Sequence, residues 1–211
     1  MEGPRAGVAR TLVAGAAGYL LGSVPSADVA ARLAHGGETD LREKGSGNPG
    51  GVNAAAVLGR KWGLGVIVAD VAKGAFAGFV GRRIGGDRGA YAAATGAIAG
   101  HIAPPWSRFR GGKGVATSAG ACLAVFPAFF PIDAAVAGAG AAGLQHAERT
   151  VQINAAVWTL TSVLWWRARL PNAWGPRPGP GLVAFSAAGS AMILAKFRAA
   201  RRQVDPQARA S

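Results

Sequence analysis

Long uncharged stretches alternate with short basic ones along the chain. Uncharged runs cover Thr11–Ala27, Gly89–Ser107, Gly114–Ile132, Ala134–Ala147, Thr150–Trp166 and Pro178–Ala195, and the apolar run Trp62–Gly81 is interrupted only by Asp70 and Lys73. Such runs predict helices embedded in a bilayer, because a segment in hydrocarbon must satisfy its own backbone hydrogen bonds. Several fall short of the ~20 residues that cross a typical hydrocarbon core, which predicts short helices and a locally thinned membrane. Within Gly114–Ala147, Pro127 and Pro131 with Asp133 predict two short helices joined by a tight turn. The expected fold is therefore all-α: a polytopic membrane protein of about seven short transmembrane helices. Residues 1–200 form one domain, followed by a basic tail, 201–211, that is expected to be disordered. No cleavage site follows Thr11–Ala27, so that run is expected to be a retained span and not a signal peptide.

Lys and Arg positions orient the spans. With the N-terminus outside, Arg32, Arg42, Lys44, Arg60, Lys61, Arg108, Arg110, Lys113 and the tail residues Lys196, Arg198, Arg201, Arg202 and Arg209 all fall inside. The opposite side receives fewer. The expectation is an inner (plasma) membrane protein with an outside N-terminus, a cytoplasmic C-terminus and cytoplasmic glycine-rich loops.

Composition sharpens this picture. Only 16% of the residues are charged, where a soluble domain has roughly 25%, and the mean hydropathy is +0.24. The net charge of +13 would suggest nucleic acid in a soluble protein. Here the basic residues lie between apolar spans, so membrane lipid headgroups or phosphorylated substrates are the expected partners, and no nucleic acid is. The 33 glycines sit largely inside apolar runs, where small residues let helices pack backbone to backbone. A single cysteine, Cys122, excludes an internal disulfide and any cysteine metal cluster. Trp158, Trp165, Trp166 and Trp174 are expected at the lipid interface.

Two basic loops carry the candidate chemistry. The first runs Asp40-Leu-Arg42-Glu-Lys44-Gly45-Ser46-Gly47-Asn48-Pro49-Gly50-Gly51-Val52-Asn53. Its Gly-Ser-Gly-Asn run lets backbone N–H groups converge into a nest suited to phosphate, and a short helix opening at Asn53 would reinforce that preference. An ordinary glycine-rich turn uses the same residues. The second loop, Arg108-Phe-Arg110-Gly111-Gly112-Lys113-Gly114-Val-Ala-Thr117, is not a Walker A sequence, because Gly114 follows Lys113 and Ser107 stands where the first glycine is required. It still has the parts of a phosphate cradle: close backbone approach, a point charge at Lys113 and a helix beginning just after it. Two such loops on one membrane face point to a phosphate site more strongly than either alone.

Two other features need weighing. Gly45-Ser-Gly47-Asn-Pro-Gly50 fits G-x-G-x-x-G, with Asp70 20 residues beyond; the dinucleotide fingerprint requires a preceding buried strand, and Gly36–Lys44 is polar. That reading is excluded. Asp70 and Lys73 share a helix face inside a span; they are read as a structural pair that neutralises itself.

Taken together, these loops resemble the bacterial acyl-phosphate-dependent glycerol-3-phosphate acyltransferases, a family of membrane-integral enzymes. The resemblance covers roughly the first 120 residues: Gly22-Ser-Val-Pro25, Asp40-Leu-Arg42, Gly45-Ser-Gly-Asn48, Gly50-Gly-Val-Asn53, Asp70-Val-Ala-Lys73-Gly74, Gly100-His101 through Pro104, Phe109, and Gly111 through Thr117. It implies a seven-helix fold with a cytoplasmic active site. It also implies transfer of a fatty acyl group from acyl phosphate to the 1-hydroxyl of glycerol 3-phosphate, forming lysophosphatidate in phospholipid biosynthesis. Acyl phosphate is already activated, so no cofactor, metal or enzyme nucleophile is expected. By analogy, Lys113 and Ser46 would be the catalytic residues. Ser46, Gly47 and Asn48 would hold acyl phosphate, and Lys113 and Arg60 would hold glycerol 3-phosphate or stabilise transition-state charge. Arg42, Gly45, Asn53, His101, Gly111, Gly112, Gly114 and Thr117 would complete the binding site. The chain departs from the family pattern at Val52, at Ala54–Ala56 and at Arg149–Gln152. Its tail, Lys196-Phe-Arg-Ala-Ala-Arg-Arg-Gln203, lacks the family's His and Asn. The alternative is a degenerate relative that binds acyl phosphate or anionic lipid without turnover. A small transporter is disfavoured, because no inverted repeat is visible.

Overall fold

The computed structural model describes residues 4–36, 39–139 and 147–204. Among these there are eight α-helices and no strand: α1 (Pro4–Gly22), α2 (Ser26–His35), α3 (Gly51–Leu58), α4 (Arg60–Ile102), α5 (Val115–Val125), α6 (Phe130–Ala139), α7 (Ala147–Arg167) and α8 (Pro180–Val204). Three stretches are long and apolar enough to cross a membrane, Arg5–Ala34, Arg60–Ser107 and Pro180–Arg201.

α4 is a hairpin. Gly85 and Gly86 leave helical geometry, Gly86 with φ +61°, and the two arms fold back so that Gly81 lies against Gly89 and Ala93. Only a residue without Cβ reaches that backbone conformation at low cost. The arms correspond to the two apolar runs on either side of the Arg82–Arg88 segment. At ~1.5 Å per residue, the hairpin tip lies roughly 23 Å from His101 at the other end.

Helix contacts here are backbone to backbone. A Cβ at Gly18 would overlap the carbonyl of Ala93, and one at Gly96 would overlap the carbonyl of Gly15, so α1 lies directly on the second arm of α4. Gly74 and Gly120 bring the first arm against α5 in the same way. Lipid tails are as apolar as leucine, so close van der Waals packing replaces the hydrophobic effect as the force holding membrane helices together. The larger side chains Leu12, Val13, Leu64, Val68, Phe76, Leu160 and Leu164 are exposed on the outside, as a lipid-facing surface requires.

The aromatic core lies among α5, α7 and α8. Trp158 meets Phe185 edge-on with centroids 5.1 Å apart and stacks on Phe129 at 6.1 Å. Trp158 is only 3% exposed, so it is a core residue and not the lipid-interface anchor that its residue type suggested. The Ser186 hydroxyl donates to the Ser162 hydroxyl at 2.7 Å, linking α8 to α7. A second, smaller core of Ala27, Ala30, Leu41, Ala54, Leu58 and Val66 supports α2 and α3.

Several boundaries differ from the sequence expectation. α1 starts at Pro4 and ends at Gly22, because Ser23-Val24-Pro25 breaks it, and α2 follows. The sequence reading missed α2; its signal was the spacing of Ala27, Ala30 and Ala31, which are buried while Val29 and Leu33 are exposed. The break in Gly114–Ile132 falls at Phe126–Phe129, not beside Asp133, which lies inside α6 and accepts a hydrogen bond from Asn154 of α7. Residues 140–146 of the predicted Ala134–Ala147 span lie outside the described residues, and Ala147 opens α7. α8 continues through Val204, and the rest of the basic tail lies outside them too.

Replacing Gly96 with Val should drive a side chain into the α1 backbone and destabilise the protein by about 1–3 kcal/mol, as overpacking does. A thermal unfolding transition in detergent would show the lower midpoint. Gly65→Ala, which meets open space, should leave it nearly unchanged.

Candidate active site

Both glycine-rich loops lie at one end of the bundle, opposite the hairpin tip. The first is shaped from within by Asn53, whose carboxamide donates to the carbonyls of Leu41 (2.9 Å) and Lys44 (3.0 Å) and accepts the Ser46 N–H (2.8 Å). Gly45 and Gly47 take left-handed φ values of +60° and +69° and bracket an exposed Ser46. The Gly47 N–H is bonded to the Lys44 carbonyl at 3.1 Å. The N–H groups of Ser46 and Gly47 are thus used inside the loop and do not form the open nest expected there. Open donors are found instead at the start of α3, which begins two residues before Asn53. The first helical bond there is Ala54 N–H to Gly50 O, and no side chain caps the preceding N–H groups, leaving a positive helix end.

The second loop folds back on the end of α4. Gly111 and Gly112 donate to the carbonyls of Ile102 and His101, each at 3.1 Å. Gly112 is wedged between the His101 imidazole and the Pro49 carbonyl, so the two loops touch there. Gly114, with φ +86°, starts α5 without a side-chain cap. The Lys113 ammonium lies 4.3 Å from the centroid of the Phe197 ring and has no carboxylate partner among the described residues.

Arg42 joins the parts. Its guanidinium donates twice to Asp28 of α2 (2.7 and 3.1 Å), once to Asp40 (3.2 Å) and once to the Arg110 carbonyl of the second loop (2.8 Å). The hydrogen bond to Asp28 is the main reason the guanidinium titrates above its ordinary value. Partial burial pushes the Asp40 carboxyl up. The backbone and side-chain hydrogen bonds from Arg42, with the charges of Arg42 and Arg110, outweigh this and hold it below the usual range. A depressed carboxyl stabilises the fold fully above its unfolded value near pH 4, roughly, and loses that contribution only as pH drops through the lower folded value. Asp40 therefore stays ionised at neutral pH.

Behind the loops lies a buried triad across the α4 hairpin. Lys73 Nζ is 2.8 Å from Asp70 and donates to the Val24 carbonyl at 2.9 Å and to Ser26 at 3.4 Å. His101 Nδ1 is 3.5 Å from the same Asp70 oxygen. The Asp70–Lys73 pair expected from spacing forms and takes His101 as a third member. The imidazole is 8% exposed, and its Nε2 faces Gly112 and has no hydrogen-bond partner among the described residues.

These groups line a cleft bounded by Gly22–Asp28, Arg42, Pro49, Asp70, Lys73, His101, Gly111 and Gly112. The structure thus brings Arg42, His101, Gly111 and Gly112 to one cleft, with Lys113 adjoining Gly112. Ser46, Asn48 and Arg60 are not in the cleft wall; Arg60 is exposed at the start of α4. Arg42 and Asn53 act by shaping loops, since their polar groups are already engaged. Thr117, proposed as a substrate contact, is 0% exposed and turned into the helix packing, where its carbonyl abuts Gly74. Asp28, Phe197 and Lys196 were not found from sequence. Lys196 is partly buried within the field of Arg42 and Arg110. The only sequence signal for Asp28 was an acid in the first turn of α2.

A family model described as glycerol-3-phosphate acyltransferase matches residues 12–204. The chain is 43% identical over 113 residues to a glycerol-3-phosphate acyltransferase of Exiguobacterium sibiricum, covering 54% of each chain. It is 44% identical over 118 residues to one of Bacillus cereus, covering 56% of this chain and 59% of that one. In these alignments the chain spans about half the length of the curated relatives it matches. Two crystal structures of PlsY (YgiH), an integral membrane glycerol 3-phosphate acyltransferase, share the fold. Its glycerol 3-phosphate form gives a TM-score of 0.70 at 24% identity, covering 94% of this chain and 92% of that one. Its lysophosphatidic acid form gives 0.71 at 25%, covering 92% and 91%. With the family pattern present from Thr11's neighbour Leu12 through α8, this chain belongs to the glycerol-3-phosphate acyltransferase family.

Proposed function

We propose that this protein transfers a fatty acyl group from acyl phosphate to the 1-hydroxyl of glycerol 3-phosphate, forming lysophosphatidate. The observation that carries the reading is the meeting of two glycine-rich basic loops at one cleft, with Lys113 beside it and left un-neutralised by any carboxylate among the described residues. Relatives named glycerol-3-phosphate acyltransferases support the acceptor, as do the PlsY forms with glycerol 3-phosphate and lysophosphatidic acid. The proposed topology is one domain over residues 1–200 in the inner membrane. Its N-terminus lies outside, and its C-terminus and both loops lie in the cytoplasm.

In this mechanism the acceptor hydroxyl oxygen attacks the acyl carbonyl carbon. An ester C–O bond forms, the C–O bond to phosphate breaks, and phosphate leaves with the electron pair and takes up the hydroxyl proton. No cofactor or covalent enzyme intermediate is needed. The protein contributes positioning and charge stabilisation. Lys113 and the first turns of α3 and α5 face anionic oxygens, the exposed Ser46 and the half-buried Asn48 contact the donor phosphate from the first loop outside the cleft wall, and His101 Nε2 accepts a hydrogen bond from the acceptor. Arg60 supplies further charge at the membrane surface.

A second reading, binding of acyl phosphate or anionic lipid without turnover, is favoured by the Lys196–Gln203 tail, which has neither His nor Asn where the resemblance implies them. Purified protein in lipid, given acyl phosphate and glycerol 3-phosphate, separates the two when lysophosphatidate is followed by mass spectrometry. Product above a protein-free control is expected; donor binding without product would leave only the second reading. Lys113→Ala should lower kcat by about 10²–10³-fold, the usual loss when a charge-stabilising group is removed. Activity within a few-fold of wild type would remove Lys113 from the mechanism. Arg42→Lys should also impair turnover by at least tenfold, because an ammonium cannot reproduce a bidentate, planar fork across three segments. Unchanged turnover in that variant would show that the loops hold together without it.

A further inference from the structure

Lys113 is the central cation of the proposed transfer, and what holds it in place is an aromatic face. Its ammonium lies 4.3 Å from the centroid of Phe197. The ring is not a free surface group: Phe197 is partly buried and packs against the aromatic core. One turn earlier on α8, buried Ile193 comes up against Gly114, the residue after Lys113. One face of α8 therefore backs Lys113 and Gly114.

We propose that Phe197 is a positioning residue for catalysis, acting as a cation–π platform that orients the Lys113 ammonium without neutralising it. The inference rests on the acyltransferase reading above. A carboxylate in the same place would hold the lysine more firmly, but it would cancel the charge that a phosphate or developing oxyanion requires. A ring quadrupole attracts the cation weakly, leaves its net charge intact and leaves the N–H donors that point away from the ring open. Packing against the core keeps the platform rigid, so the four-carbon stem of lysine need not be ordered anew at each turnover.

The test separates the quadrupole from simple packing. In lipid nanodiscs supplied with acyl phosphate and glycerol 3-phosphate, Phe197→Leu keeps apolar bulk but loses the π face. It should lower kcat/KM by about 3- to 30-fold, the range expected for loss of a partly desolvated cation–π contact. Phe197→Tyr should stay within about twofold of wild type, because the π face is retained. The contact is also read without turnover. Isotope-labelled dimethyl-lysine at Lys113, assigned with Lys113→Arg, should show an upfield ring-current shift in the wild type that disappears in Phe197→Leu. If the Leu variant does not fold, Phe197→Met replaces it. Equal losses in the Leu and Tyr variants, a Leu variant as active as wild type, or no ring-current shift in the wild type would each overturn the proposal. A wild type that makes no lysophosphatidate but shows the shift would retain the contact and remove the acyltransferase reading instead.

Discussion

The Arg42 guanidinium is the contact on which the arrangement of the site depends. Neither glycine-rich loop has a core of its own, and their residues are separated by 68 positions where they are joined. One side chain bridges α2, the first loop and the second loop, using a paired contact to Asp28, a contact to Asp40 and a donor to the Arg110 carbonyl. Its side chain is 11% exposed, and the paired contact to Asp28 is partly buried, so that contact is less screened than a surface ion pair. Removing the guanidinium would take away all four bonds at once and leave the two loops without their shared donor.

That bond pattern divides the cations of this face into two kinds. Arg42 and Lys73 are matched by Asp28, Asp40 and Asp70, and they brace the fold. Lys113 and Lys196 have no ion-pair partner among the described residues, so their charge is not cancelled locally. The distinction follows from electrostatics: a paired ion contributes geometry, while an unpaired one contributes field. In the proposed arrangement Phe197 orders Lys113 without neutralising it. His101 stands between the braced groups and the cleft, with Nδ1 toward Asp70 and Nε2 toward Gly112.

The membrane setting explains why so much of the framework is glycine and alanine. α1 and the hairpin meet where Gly15, Gly18 and Gly96 let main chains touch, and the large aromatic core gathers α5, α7 and α8 against the second arm of α4. The tightly packed side thus provides a rigid wall at the back of the cleft. The loops, which carry the polar groups, sit on its end.

Sequence alone determined the membrane class, the helical fold, the two arms of α4 and the identity of the two basic loops. These depend on local properties: apolar run length, the Gly-rich turn chemistry and the placement of Lys and Arg between spans. Tertiary structure decided which polar residues are available. Arg42, Asn53 and Thr117 have the residue types of ligand contacts, yet two are engaged in loop bonds and the third is buried in helix packing. Trp158 has the type of an interface anchor and lies in the core. Phe197 carries no polar signal at all, and its role becomes visible only when α8 returns, 84 residues after Lys113 in sequence, to lie against it. Such contacts join segments distant along the chain, and no local pattern of residue types records which of them will meet.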